Sequence, residues 1–156
     1  MKPVFFAVVA LLFTSLLAPA VLANEARELR DESDQFYAEL NYKKAYKGYL
    51  KLAKAGDRYS QSRVSHMFAT GEGKSADMTE AYAWSMVAAE TGKEKYVKIS
   101  DDLFEQTNDK AKATKRATKM VDRYGNAAQR ERTARLIARK DKSNSGQCTG
   151  TRLGCK

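Results

Sequence analysis

Few residues in this chain of 156 could carry nucleophilic, metal-binding or proton-transfer chemistry. The sequence has one histidine, His66, and two cysteines, Cys148 and Cys155. The neighbouring carboxylates Asp101 and Asp102 lie about 100° apart on a helix, so they do not converge as a catalytic pair would. Zinc would need two soft ligands besides the cysteines, and the sequence offers one histidine at most. We therefore predict that the protein is not an enzyme and uses neither a metal nor a cofactor.

The segment 71–75, Gly-Glu-Gly-Lys-Ser, ends like a phosphate-binding P-loop. A P-loop also needs a glycine five residues before its Gly-Lys-Ser, and it follows a strand. This sequence has Phe68 at that position, at the end of a predicted helix. Nucleotide binding is therefore rejected. His66 has no cysteine or second histidine near it in sequence, so we interpret it as a surface or groove residue rather than a ligand.

Positive charge is concentrated in the C-terminal part of the chain. Residues 110–142 carry 12 basic and three acidic side chains, a charge of +9, whereas residues 24–109 carry 13 basic and 16 acidic ones. An apolar stripe at helical spacing, Ala113, Ala117, Met120 and Tyr124, lies beside basic residues. These form a candidate anion-binding patch of Lys112, Lys115, Arg116, Lys119 and Arg123. There are two interpretations of the patch. It is either a solvated outer face that docks partly on the mildly acidic half, residues 24–109, or a surface that binds an anionic partner.

The N-terminus has the layout of a secretory signal peptide. Lys2 precedes an uncharged apolar run over residues 4–17, and small residues follow up to Ala23. The run is shorter than the ~20 residues that a membrane-spanning helix needs. We predict that residues 1–23 are removed, with cleavage after Ala20 as the second choice. The mature chain is then exported, periplasmic or secreted, and has no membrane span.

Export would determine which anions the basic patch meets and whether the cysteines are oxidised. An exported basic patch would meet envelope glycans, lipid phosphates or an acidic protein rather than nucleic acid. Tyr124 is also the only aromatic residue in the basic segment 110–142, which argues against stacking of nucleic-acid bases.

In an exported chain, Cys148 and Cys155 most simply form one disulfide that closes a small loop in a flexible tail, 143–156.

The elements that must position these residues are predicted to be helices. Both prolines, Pro3 and Pro19, lie within the predicted signal peptide, and no run alternates apolar and polar residues as a strand would. When the sequence is shifted by 36 positions, it aligns with itself at Ala45 with Ala81 and at Gly56 with Gly92. Small residues at this period are typical of helix–turn–helix repeats. The fold class is therefore all-α.

Residues 57–92 form the clearest unit of this repeat. Helix A is expected over Arg58–Thr70, and helix B begins after Asp77, with Glu80 completing a reciprocal capping arrangement. Trp84 is interpreted as core rather than as part of a ligand cage. A stop at Gly125 and a cap at Asn126 predict a last helix up to about Lys140.

In order and spacing, this unit resembles the Sel-one-like repeat, a helical-hairpin relative of the tetratricopeptide repeat. The structural positions that carry the resemblance are Gly56, Gly71, Gly73, Asp77, Ala81, Trp84, Ala88, Ala89 and Gly92. Lys74 departs from the pattern, which prefers valine there. Residues 24–56 look like a degenerate unit, and 93–109 like half of a third.

The resemblance implies a fold and a function. The fold would be a short right-handed stack of helical hairpins over residues 24–109, followed by basic C-terminal helices over 110–142 and the disulfide-closed tail. Such stacks present a groove for other proteins or peptides, so the resemblance implies an adaptor. Its groove residues would come from the A helices, with Tyr59, Arg63 and His66 as candidates. The alternative function is binding of an anionic envelope glycan or lipid phosphate through the C-terminal helices.

Overall fold

The computed structural model describes residues 24–145, and their side chains up to residue 140. This part of the chain is all-helical, which confirms the predicted class, and it contains no strand. The helices are α1 (24–38), α2 (Tyr42–Lys54), α3 (Arg58–Thr70), α4 (Met78–Ala89), α5 (Glu94–Gln106), α6 (Lys110–Tyr124) and α7 (Asn126–Ser145). The predicted signal peptide and the two cysteines lie outside the described residues.

Local capping explains several helix boundaries. The side chain of Asp57 accepts a hydrogen bond from the Ser60 N–H at 2.8 Å, and Asp109 accepts one from the Lys112 N–H at 2.9 Å. These bonds satisfy amide groups that the first turn of a helix leaves free. At the other end of α3, Gly71 has the left-handed φ of 80° that ends many helices. Helix α3 therefore has the bounds that the sequence predicted for helix A.

Helix α4 lies at the centre of the molecule and packs against α3, α5 and α6. Seven of its residues are buried, namely Ala81, Tyr82, Ala83, Trp84, Ser85, Val87 and Ala88. Alanines on other helices, such as Ala45 of α2 and Ala113 of α6, are fully buried too. Short side chains allow the helix backbones to approach closely, so one core joins the predicted repeat region with the basic C-terminal part.

The helices recur at the spacing found in the sequence. Tyr42 and Met78, which begin α2 and α4, are 36 positions apart, as are Arg58 and Glu94, which begin α3 and α5. The glycines that precede α3 and α5, Gly56 and Gly92, both have positive φ, 101° and 68°. The 36-residue period is therefore present in the helix boundaries and in the backbone conformation, as well as in the residue types.

The predicted reciprocal cap at helix α4 is wrong in one half. Asp77 accepts a hydrogen bond from the Glu80 N–H at 3.1 Å, but the Asp77 N–H donates to the Phe68 carbonyl at 2.9 Å. The Glu80 carboxylate instead accepts two hydrogen bonds from Arg116 on α6. A bidentate bond to a guanidinium is stronger than a bond to a neutral amide, which explains why the side chain turns away from its own helix.

The start of α7 also differs from the prediction. Asn126 does not cap the helix, because its Oδ1 accepts a hydrogen bond from Arg58 and the Gln129 N–H bonds to the Gly125 carbonyl at 3.0 Å. The Asn126 N–H bonds to Glu90 at 2.7 Å. These contacts tie α7 to α3 and to the end of α4. The helix then continues to Ser145, past the predicted end at Lys140.

Candidate functional site

A groove of about 360 Å³ lies between α3 and α5. Two of the three predicted groove residues, Arg63 and His66, line it from α3. Opposite them, α5 contributes Ile99, which is 37% exposed, and Leu103. Polar side chains lie beside this apolar surface, at Ser62, Asp102 and Gln106, whereas Ser65 is fully buried and donates to the Ala81 carbonyl. The groove can therefore contact an apolar side chain and also hydrogen-bond a polar backbone.

Tyr59, the third predicted residue, does not line this groove. Its ring packs edge-to-face on Tyr49, at 6.3 Å between centroids, and its hydroxyl donates to Asp34 at 2.9 Å. Tyr49 donates to the same carboxylate oxygen at 2.5 Å. Tyr59 therefore belongs to a polar cluster between α1, α2 and α3 that sequence reasoning missed, since its members come from three different helices.

Arg63 connects this cluster with the groove. Its guanidinium carbon lies 3.9 Å from the centre of the Tyr37 ring and 5.4 Å from that of Tyr49, distances typical of cation–π contacts. Burial raises the pKa of Tyr49, and its hydrogen bond to Asp34 raises it further. The phenol is thus held protonated, and Arg63 is held in place by the aromatic rings.

His66 lies at the outer rim of the groove. Its side chain is half exposed, and Nε2 is 3.7 Å from a carboxylate oxygen of Glu72. The same oxygen accepts a 2.6 Å hydrogen bond from the Tyr37 hydroxyl, and burial followed by this bond raises the pKa of Tyr37. His66 is therefore available for contact at the surface, and Glu72 lies beside one edge of its ring.

The residues of the anion-binding patch do not form one uniform surface. Lys112, Lys115, Lys119 and Arg123 are exposed on α6. Arg116, by contrast, donates to both oxygens of Glu80, at 2.7 and 3.0 Å, and these hydrogen bonds raise its pKa. Part of the basic half is thus docked on the acidic half, which is one of the two interpretations of the charge pattern.

The structural positions of the repeat serve packing and turns. Ala81, Ala88 and Trp84 are buried, and Trp84 stacks on Tyr124 of α6 at 5.2 Å between ring centroids. Ala89 is only half-buried. Gly73 has a φ of 72°, and a Cβ there would meet the backbone of Tyr42. The absence of a side chain at residue 73 therefore lets the α3–α4 loop approach the start of α2.

Within residues 24–145, no cluster of three or more His, Cys, Asp or Glu side chains is arranged to hold a metal ion. No helix in that range combines the length and apolar character needed to cross a membrane. Comparison with models of known protein families gave no match, and comparison with curated proteins gave none.

The 36-residue period is the signal that could have found some of the missed contacts. Glu80 and Arg116 are 36 positions apart, and so are Glu90 and Asn126. When helical hairpins stack, equivalent positions of successive units lie side by side. A carboxylate and a basic or amide side chain that are 36 positions apart would therefore predict a contact between α4 and a neighbouring helix.

Proposed function

We propose that this protein is a binding protein without catalytic activity, and that it holds a peptide segment of a partner protein in the groove between α3 and α5. One observation carries the proposal: the groove places the apolar surface of Ile99 and Leu103 opposite Arg63 and His66. An apolar side chain of the peptide contacts the α5 wall, and the polar residues of α3 bond its backbone. Recognition by an apolar anchor with a few fixed polar groups is typical of binding grooves.

We further propose that the helices form a short right-handed stack of hairpins of the Sel-one-like kind. The 36-residue spacing of helix starts and the left-handed glycines before α3 and α5 support this arrangement. In such a stack, α3 and α5 are the A helices of adjacent units. A groove between them is then the surface on which an adaptor would bind its partner.

The experiment uses residues 24–156 and a random dodecapeptide phage library. Enriched peptides are synthesised and their dissociation constants are measured for the wild type and for Ile99→Glu, which places a charge on the apolar wall of the groove. The matched control is Val97→Glu, because Val97 is on the same helix and is 38% exposed but does not line the groove.

We expect Ile99→Glu to weaken binding at least tenfold and Val97→Glu to leave it within twofold, since a buried charge without a partner is costly. Binding that survives Ile99→Glu, or a library that yields no binder, would refute the peptide groove. Circular dichroism of both variants checks that the helices are intact.

Export and the disulfide are proposals that concern residues outside the described range. If the protein is exported, sequencing of the mature chain should begin at Asn24, and a chain that still begins at Met1 would contradict the signal peptide. Alkylation of the exported protein should find Cys148 and Cys155 oxidised. Two free thiols would contradict the predicted disulfide.

A further inference from the structure

A second cleft of the described residues lies away from the α3–α5 groove. It has a volume of about 550 Å³ and runs between α2, α4 and α6, closed at one end by the loop that connects α3 and α4. Tyr46, Leu50 and Lys54 line it from α2, at a spacing of four residues. With a rise of about 1.5 Å per residue, this stripe is about 12 Å long. The cleft is therefore elongated along the helices.

Basic side chains stand at both ends of this cleft. Lys74, in the loop before α4, marks one end, which is also the end where Arg116 bonds Glu80. Lys54 and Arg123, at the last turns of α2 and α6, mark the other. Arg132 of α7 donates to the carbonyl groups of both Lys54 and Arg123, which shows that those two helix ends are adjacent.

The charge in the cleft is not balanced by the protein. Within the described part of the chain, Lys54, Lys74 and Arg123 have no carboxylate within ion-pair distance. Of the two acidic residues that line the cleft, Glu80 is neutralised by Arg116, and Asp77 accepts the capping hydrogen bond at the start of α4. Asp77 keeps its negative charge, so the four basic and two acidic side chains of the cleft leave a net charge of +2, and the basic groups without an ion-pair partner stand at its two ends.

Between these basic ends, the partly exposed rings of Tyr46 and Tyr124 line the cleft, and the buried Trp84 and Phe68 lie behind them. Trp84 and Tyr124 stack on each other there, and Tyr46 packs edge-to-face on Phe68 at 5.8 Å between ring centroids. An apolar group in the middle of a bound ligand would contact the rings of Tyr46 and Tyr124. Lys74, which departs from the repeat pattern in sequence, thus lies at one end of this cleft.

We propose that this cleft is a second binding site, which takes an acidic peptide segment: two carboxylate side chains flanking an apolar one. An extended chain rises about 3.3 Å per residue, so carboxylates four residues apart span about the length of the cleft. One carboxylate pairs with Lys74 and the other with Lys54 and Arg123, while the apolar side chain lies on the rings of Tyr46 and Tyr124. This site is independent of the groove between α3 and α5.

Trp84 provides a direct readout, because it is the only tryptophan of the chain and lines the cleft. The probe is the blocked peptide acetyl-Glu-Ala-Phe-Ala-Glu-amide, titrated into residues 24–156 while the tryptophan emission is recorded. The matched neutral peptide has Gln in place of both Glu. We expect a saturable change with the acidic peptide and at least tenfold weaker binding of the neutral one, since charged hydrogen bonds are the stronger ones.

The variants Lys54→Gln and Lys74→Gln test the two ends separately. Each should weaken binding of the acidic peptide about fivefold to tenfold. The controls Lys112→Gln and Lys115→Gln make the same charge change on exposed residues of α6 that do not line the cleft, and they should leave binding within twofold. Ile99→Glu, which blocks the other groove, should also leave it unchanged.

Four results would overturn the proposal. The first is an emission that does not change with the acidic peptide, and the second is equal binding of the neutral peptide. The third is an equal loss in the Lys112→Gln and Lys115→Gln controls, which would show attraction by net charge alone. Trigalacturonate is titrated as a further probe, and tighter binding of this acidic sugar than of the peptide would refute the assignment to a peptide.

Discussion

Replacement of Trp84 by alanine tests whether the contact between α4 and α6 holds the fold together. The indole is only 3% exposed and stacks on Tyr124 with an angle of 20° between the rings. Deletion of a buried aromatic side chain costs about 3–5 kcal/mol, and the cost is smaller where the surroundings can relax. Because Trp84 also lines the α2–α4–α6 cleft, we expect a loss near the lower end, about 3 kcal/mol.

Urea denaturation followed by circular dichroism at a helical wavelength gives the free energy of unfolding without relying on tryptophan emission. A small domain has a total stability of about 5–15 kcal/mol, so the variant should still fold, with a lower midpoint. Val97→Ala, at a residue that is 38% exposed, is the control and should change stability by less than about 0.5 kcal/mol. A loss below about 1 kcal/mol for Trp84→Ala would show that Trp84 is not a core residue, and the packing argument would fail.

Three further predictions concern single contacts. Glu80→Gln should cost about 1 kcal/mol at low salt and less at high salt, because its pair with Arg116 is partly exposed; unchanged salt dependence would contradict the ion pair. Gly73→Ala should destabilise more than Gly92→Ala, by about 1 kcal/mol or more in urea unfolding, since both glycines have positive φ but only a Cβ at residue 73 meets backbone; equal losses would refute the close approach. The raised pKa of Tyr49 predicts stability that is fully present below about pH 10 and falls as unfolded phenols ionise above it; Tyr49→Phe should reduce this fall, and phenolate absorbance of the folded wild type should show a late-titrating group.

The bounds of α3 could be predicted from the sequence because the signals are local. Asp57 caps the first turn, and Gly71 supplies the left-handed residue after the last one, so each end depends on residues within one turn. The apolar residues of α3 recur at helical spacing and form its buried face: Val64 and Met67 are fully buried and Phe68 is 5% exposed. Local chemistry was sufficient for these features.

The side chain of Glu80 shows where such reasoning stops. A capping box was a sound expectation from the spacing, but a guanidinium 36 residues away offered two stronger hydrogen bonds. The capping pattern holds no information about α6, so tertiary contact decided the outcome. The α2–α4–α6 cleft was missed for the same reason, since only helix packing brings Lys54, Lys74 and Arg123 to the same cleft. Sequence did place Arg63 and His66 on one helix face, because they are three positions apart.

The central position of α4 has a consequence for motion. Its backbone is covered by α3, α5 and α6, and its carbonyls at Ala81 and Val87 also accept hydrogen bonds from Ser65 and Arg58 of α3. Water can reach the amides of such a helix only when its neighbours separate. The amide hydrogens of α4 should therefore exchange with solvent as slowly as global unfolding allows, while those of exposed residues 131–140 in α7 exchange by local opening. The order of exchange along the chain would thus follow distance from α4, rather than the boundary at which the acidic half of the sequence gives way to the basic half.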